Sequence, residues 1–227
     1  MIFAVDHVVF AATKQQASNL ITTLHGYGFP PVDFHLDFPE DNLASDSVGL
    51  RGGASLEFVY ETTEGHGPAA WFDQPPRVIG IGFSSDDFAA DTAWDTDVGA
   101  WTMPEQQAFP SAAGPHEHQS DFYVFVMNRK DGVLQFPELT DGPRLVQISV
   151  AGADSASWYD RLQRWLALDG GSDSDTVAAG GTQIKFADGS GPSVRASLTL
   201  EVSQSFTAVI PLATGEIRLI EAGETSS

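Results

Sequence analysis

The 227-residue chain has no cysteine. Disulfides, thiolate metal sites and cysteine nucleophiles are therefore excluded, and a cytoplasmic location is the expectation. Basic charge is scarce. Lys and Arg number 11 against 31 Asp and Glu, a formal net charge of −20, and the lysines are Lys14, Lys130 and Lys185 alone. Such a surface repels phosphate backbones and anionic lipids, so neither nucleic acid nor a membrane is an expected partner. The acids are spread along the whole chain. That pattern reads either as a halophile-like solvated surface or as a field that draws in a cationic ligand. No apolar run approaches the roughly 18–20 residues that cross a bilayer. The opening MIFAVDHVVFAA lacks a basic segment and is interrupted by Asp6 and His7, so it reads as a strand and not as a secretion signal. GxGxxG after a strand, the P-loop, GxSxG and HExxH are also missing, which disfavours nucleotide-dependent and serine-hydrolase chemistry.

What is present is a recurring order of elements. Phe3 to Ala11 is a β-branched run that reads as a buried strand. Ala17, Leu20, Ile21 and Leu24 then fall on one helical face, with Thr13 as N-cap and Gly26 and Gly28 as the stop. Strands are predicted over Val32–Phe38, Ser47–Arg51 and Ser55–Glu61. The order strand, helix, strands recurs with Arg77–Phe83, a short helix to about Trp94, Trp101–Phe109, Asp121–Asn128 and Gly132–Phe136. It recurs again with Arg144–Val150, a helix striped by Trp158, Leu162, Trp165 and Leu166, and strands at Thr182–Phe186, Val194–Val202, Phe206–Leu212 and Glu216–Glu221. Repetition at a spacing near 70 residues predicts an α+β chain of βαβββ units over 1–65 and 76–140, with a third, divergent one over 143–223.

AVDHVVFA, then a helix, GYGF and SLEFVYE resemble the vicinal-oxygen-chelate superfamily, and within it the glyoxalase-like domain proteins. The resemblance implies strands curled into a cup, a half-barrel of mixed sheet. It implies a divalent metal (Fe, Mn, Ni or Zn) held by inward side chains from the first and last strands of each unit. It further implies a metal-dependent lyase, isomerase or dioxygenase acting on a small oxygen-chelating substrate. A metal-free protein of the same fold that sequesters a small molecule is the alternative, and a homodimer is compatible with either.

Strand alternation sets His7 on one face with Val5 and Val9, and Glu57 with Val59 and Glu61. The resemblance makes His7 and Glu57 metal ligands, with Glu57 or a nearby His moving the proton. Matching RVIGIGFSS and GVLQF to the first unit places Gly80 at the His7 position and Gln135 at the Glu57 position, so the implied ligand set is His7, Glu57 and Gln135. In the third unit Gln147 stands at the His7 position and Arg218 at the Glu57 position, where an arginine would repel a metal and could bind a carboxylate. His116 and His118, two apart on an extended segment, can clamp a metal or substrate anion, or belong to an exposed polar loop. His35 and Asp37 either line the mouth of the cup or form the solvent side of a strand. The 15 Phe, 5 Trp and 4 Tyr offer ample lining for an aromatic cup.

Overall fold

The computed structural model describes residues 4–31, 34–67, 69–85, 99–102, 110–113, 122–128, 139–152, 159–160, 162–163, 175–189 and 194–223. Strand β1 (Ala4–Ala11) leads into helix α1 (Lys14–Gly26), followed by β2 (Phe34–Phe38), β3 (Leu43–Gly49) and β4 (Ser55–Glu61). A short helix α2 (Ala69–Phe72) precedes β5 (Arg77–Ser85), β6 (Gly99–Thr102), β7 (Pro110–Ala113) and β8 (Tyr123–Asn128). Then come β9 (Arg144–Gly152), β10 (Thr176–Ala179), β11 (Thr182–Asp188), β12 (Arg195–Val202), β13 (Ala208–Leu212) and β14 (Gly215–Glu221). None of the helices among the described residues is long and apolar enough to cross a membrane.

Local chemistry explains α1. Thr13 closes a capping box: its hydroxyl accepts from the Gln16 N–H at 3.2 Å, and the Gln16 side chain accepts from the Thr13 N–H at 2.8 Å. Such a cap stabilises a helix by about 1 kcal/mol. The buried face is Ala17, Leu20, Ile21 and Leu24, and the chain leaves the helix through Tyr27 and Gly28, whose φ of 84° favours glycine.

The described strands form two mixed sheets, ordered β2-β3-β4-β1-β5-β8-β7-β6 and β10-β11-β9-β12-β14-β13. In the first, the parallel pairs β1/β4 and β5/β8 meet antiparallel at β1/β5. In the second, the parallel pairs β9/β11 and β12/β14 meet antiparallel at β9/β12. The centres of the two junctions are Val8 against Ile81 and Ile148 against Leu198, all fully buried. Leu56, Val124, Ile184 and Ile217 stand beside them in register. All eight belong to a single apolar cluster to which α1 also contributes. Each sheet therefore turns one face to a common core, and the other face of the first sheet carries a second, smaller cluster that includes Val9, Ala11, Ile79 and Phe125.

One strand starts earlier than the sequence pattern suggests, and β10 is additional to that pattern. β3 begins at Leu43 because Ala44, Ser45 and Ser47, residues weak in β propensity, are buried there by their neighbours. β10 is hairpinned to β11 through Gly180 and Gly181, both at positive φ. The predicted strand over Gly132–Phe136, most of that over Trp101–Phe109, and Trp158, Trp165 and Leu166 lie outside the described residues.

Candidate binding site

The face of the first sheet turned away from the common core carries His7 and Glu57. Strict alternation would set Val5 beside His7, yet Val5 joins Val8 and Phe10 in the common core. The cause is a register irregularity between Val5 and His7 where β1 meets β5. A bulge of this kind inserts one residue and re-aims those that follow. Here His7, Val9 and Ala11 turn together to the face away from the core, where Val9 and Ala11 pack with Val59 of β4. Val9 stands beside Glu57 in register, and His7 Nε2 approaches Glu57 Oε2 to 3.3 Å.

The inserted residue is Asp6. It is buried, and its Oδ1 lies 2.9 Å from His7 Nδ1. A carboxylate only accepts, so Nδ1 is the donor to Asp6, and Nε2 is the nitrogen that faces Glu57. Two carboxylates thus grip one imidazole, which fixes its orientation.

Aromatic rings occupy the rest of this face. Phe125 meets His7 edge-on at 5.0 Å, Tyr123 stacks on Phe125 at 5.2 Å, and Trp71 stacks on Tyr123 at 5.4 Å. Two glycines of β5 make room for them. A Cβ on Gly82 would stand 2.8 Å from the Phe125 ring and 2.9 Å from His7 Cε1, and one on Gly80 would stand 2.9 Å from the Tyr123 ring. The half-buried Phe38 and Phe72 extend the wall. Burial, and after it the Glu57 charge, push the Tyr123 phenol well above its ordinary pKa.

Among the described residues the donor set is short of a metal centre. His7 and Glu57 are close enough to share an ion, but the positions matching them in the paired unit are Gly80 and, beside Gly82 on β8, Phe125. Neither ligates a cation. Among the described residues no three His, Asp or Glu side chains converge as metal ligands. Gln135, His116 and His118 lie outside the described residues.

His35 sits elsewhere. It shares a cross-strand row with Asp46, Phe58 and Phe10, on the face opposite His7. Its Nδ1 lies 2.8 Å from Asp46 Oδ1 and its Nε2 lies 3.3 Å from Asp37 Oδ1. The hydrogen bond to Asp46 raises its pKa, against a smaller opposing effect of burial. The same Asp46 accepts from the Tyr60 hydroxyl, whose pKa burial and that carboxylate push up to about 12. The structure thus joins His7 with Glu57 and leaves His35 in a separate ionic cluster.

Asp6, Trp71, Tyr123 and Phe125 escaped the sequence reading. A signal for the rings existed in the alternation Gly80-x-Gly82, since glycine inside a strand often marks a close approach. Asp6 gave a fainter one, as a charged residue inside an apolar run.

No protein-family model and no curated protein matches the chain. Solved structures do. A hypothetical protein from Staphylococcus aureus aligns over 97% of this chain and 100% of its own, at 9% identity and a TM-score of 0.64. A mutant of 4-hydroxymandelate synthase from Streptomyces coelicolor, of the vicinal-oxygen-chelate superfamily, aligns over 99% of this chain and 94% of its own, at 11% identity and a TM-score of 0.62. Methylmalonyl-CoA epimerase from Mycobacterium tuberculosis aligns over 55% of this chain and 87% of its own, at 13% identity and a TM-score of 0.43. With its paired units and curled mixed sheets, this chain has the vicinal-oxygen-chelate fold.

Proposed function

We propose that the first cup binds a compact organic cation without a metal. One observation carries this reading: the unbroken series of rings Trp71–Tyr123–Phe125–His7 ends against the Glu57 carboxylate. Aromatic faces attract cations through their quadrupoles, by about 0.5–1 kcal/mol at exposed sites and about 2 kcal/mol or more when water is excluded. A carboxylate at the end of such a wall gives the guest a defined charge partner. The net charge of −20 adds a long-range field of the same sign. Asp6 serves by holding the imidazole still, so that Glu57 and Phe125 meet a fixed surface.

The test is a titration with N-methylpyridinium and with choline in the presence of a chelator, followed by tryptophan fluorescence and thermal shift. The expected result is saturable binding that Glu57→Gln weakens about tenfold, a loss of about 1.4 kcal/mol, with toluene binding more weakly than the cation of similar shape. Absence of saturable binding by either cation would sink the reading.

A metal-dependent lyase, isomerase or dioxygenase is the second reading, and the Asp6–His7 bond favours it. Metal-bound histidines commonly donate their other ring N–H to a carboxylate. Stoichiometric divalent metal in freshly purified protein, lost on His7→Ala, would establish it over the first. The described residues supply His7 and Glu57 as its donors and no third.

A further inference from the structure

The second sheet has a cup of its own, built on the same register and lined by opposite chemistry. The correspondence follows from the pairing. Ser149 stands beside Lys185 as Val9 stands beside Glu57. Thr199 stands beside Arg218 as Gly82 stands beside Phe125. Gln147 opposes Thr199 as His7 opposes Gly82, and Ser149 opposes Ser197 as Val9 opposes Gly80. The positions of His7, Glu57, Gly80 and Phe125 are therefore held by Gln147, Lys185, Ser197 and Arg218. A carboxylate has become a lysine, and a ring has become an arginine.

These side chains enclose a cavity of about 140 Å³ with Ser149, Thr199 and Glu216. Thr199 is buried at its floor, while Lys185 and Arg218 are exposed at its rim. Arg218 is held by Glu216 at 2.6 Å, and the Ser197 hydroxyl accepts from the Glu216 N–H at 3.3 Å, which fixes that wall. The Gln147 side-chain amide donates to Ser149 Oγ at 2.8 Å. Lys185, one of three lysines in the whole chain, faces the cavity with no ion-pair partner among the described residues. Two cations against one carboxylate leave the lining net positive, within a molecule whose net charge is −20. The usual solvent face of a sheet in so acidic a chain would be rich in Asp and Glu; this one gathers cations, hydroxyls and an amide.

We infer that this second cup binds a compact hydroxydicarboxylate. The planar fork of Arg218 suits one carboxylate, and the point charge of Lys185 suits the other. Gln147, Ser149, Ser197 and Thr199 supply donors and acceptors for a hydroxyl between them. A cavity near 150 Å³ holds a molecule about the size of benzene, which sets the scale of the ligand. The inference stands apart from the first cup, since it uses none of its residues.

The experiment uses the intact chain, isotope-labelled for amide chemical-shift mapping, titrated with tartrate, succinate and inorganic phosphate at constant ionic strength. Tartrate is expected to shift amides of β9, β11, β12 and β14. It should bind about tenfold more tightly than succinate, which lacks the hydroxyls. Lys185→Gln and Arg218→Gln should each weaken it about tenfold. Thr199→Val should bring tartrate down to the succinate level, and Glu57→Gln should leave it unchanged. The inference is overturned if tartrate shifts none of those amides, if phosphate binds as tightly as tartrate, or if both charge-removing variants retain full affinity. Because Lys185 and Arg218 are exposed, their replacement leaves the core intact and the result readable.

Discussion

The two sheets share a skeleton and differ in what they present. Behind each lies the same buried layer, Val8 and Ile81 in one and Ile148 and Leu198 in the other. Even the distortion recurs. The irregularity that separates Val5 from His7 has its counterpart where Leu145 pairs with Leu200 and Gln147 with Thr199. On the opposite faces the resemblance stops. The first is packed with stacked rings around a single histidine, and the second is a polar basin open at its rim. The scaffold is fixed by burial on one side of the sheet, which leaves the other side free to change its chemistry position by position.

The sharpest way to break this comparison is at Phe125 and Arg218, which occupy matching places. Phe125 is buried against His7 and Tyr123, so Phe125→Ala removes a ring and leaves a void, costing about 3–5 kcal/mol. Arg218 is exposed, so Arg218→Ala should stay within about 0.5 kcal/mol. Urea unfolding of the two variants measures the gap. Equal costs would mean that the two faces are packed alike, contrary to the structure.

A smaller effect is expected from exchanging Gly82 and Thr199. Gly82→Thr drives a side chain into the Phe125 ring and His7, at a cost of about 1–3 kcal/mol. Thr199→Gly meets no such obstacle and should cost about 1–2 kcal/mol, through backbone freedom and the loss of a buried methyl. Combining Gly82→Thr with Phe125→Ala should recover part of the first loss, because the second change empties the space the threonine needs. Strict additivity in that double variant would show that the ring and the glycine are not coupled.

The scaffold was legible in the sequence because it is written in apolar periodicity. β1, α1 and β4 follow directly from AVDHVVFA, the Ala17–Leu24 stripe and SLEFVYE. The meeting of His7 with Glu57 followed from the resemblance, since alternation tells which side chains of one strand share a face and not which strands are neighbours. Asp6 was not legible. Its place depends on a bulge, and a one-residue slip has no signature in periodicity. Lys185 was hidden in another way: its role comes from standing beside Ser149, a pairing between residues far apart in sequence. Alternation finds the face, but only register finds the neighbour.

The finest distinction between the cups is electrostatic. Burial and the Glu57 charge both disfavour the phenolate of Tyr123, so its folded-state pKa lies above that of the unfolded chain, near 10. The sign of the linkage follows. The stabilisation from the neutral phenol is fully present below pH 10 and is lost as the pH rises beyond it, because the unfolded chain then releases a proton that the folded one keeps. Tyr123→Phe should therefore flatten the alkaline fall in stability, measured as the urea midpoint against pH. Glu57→Gln should flatten it only in part, since burial is the larger cause and remains. A Lys185→Gln change in the other cup should leave that slope alone. If removing Glu57 abolished the alkaline effect completely, the carboxylate and not the burial would govern this face, and the stacked rings would be more open to water than their packing requires.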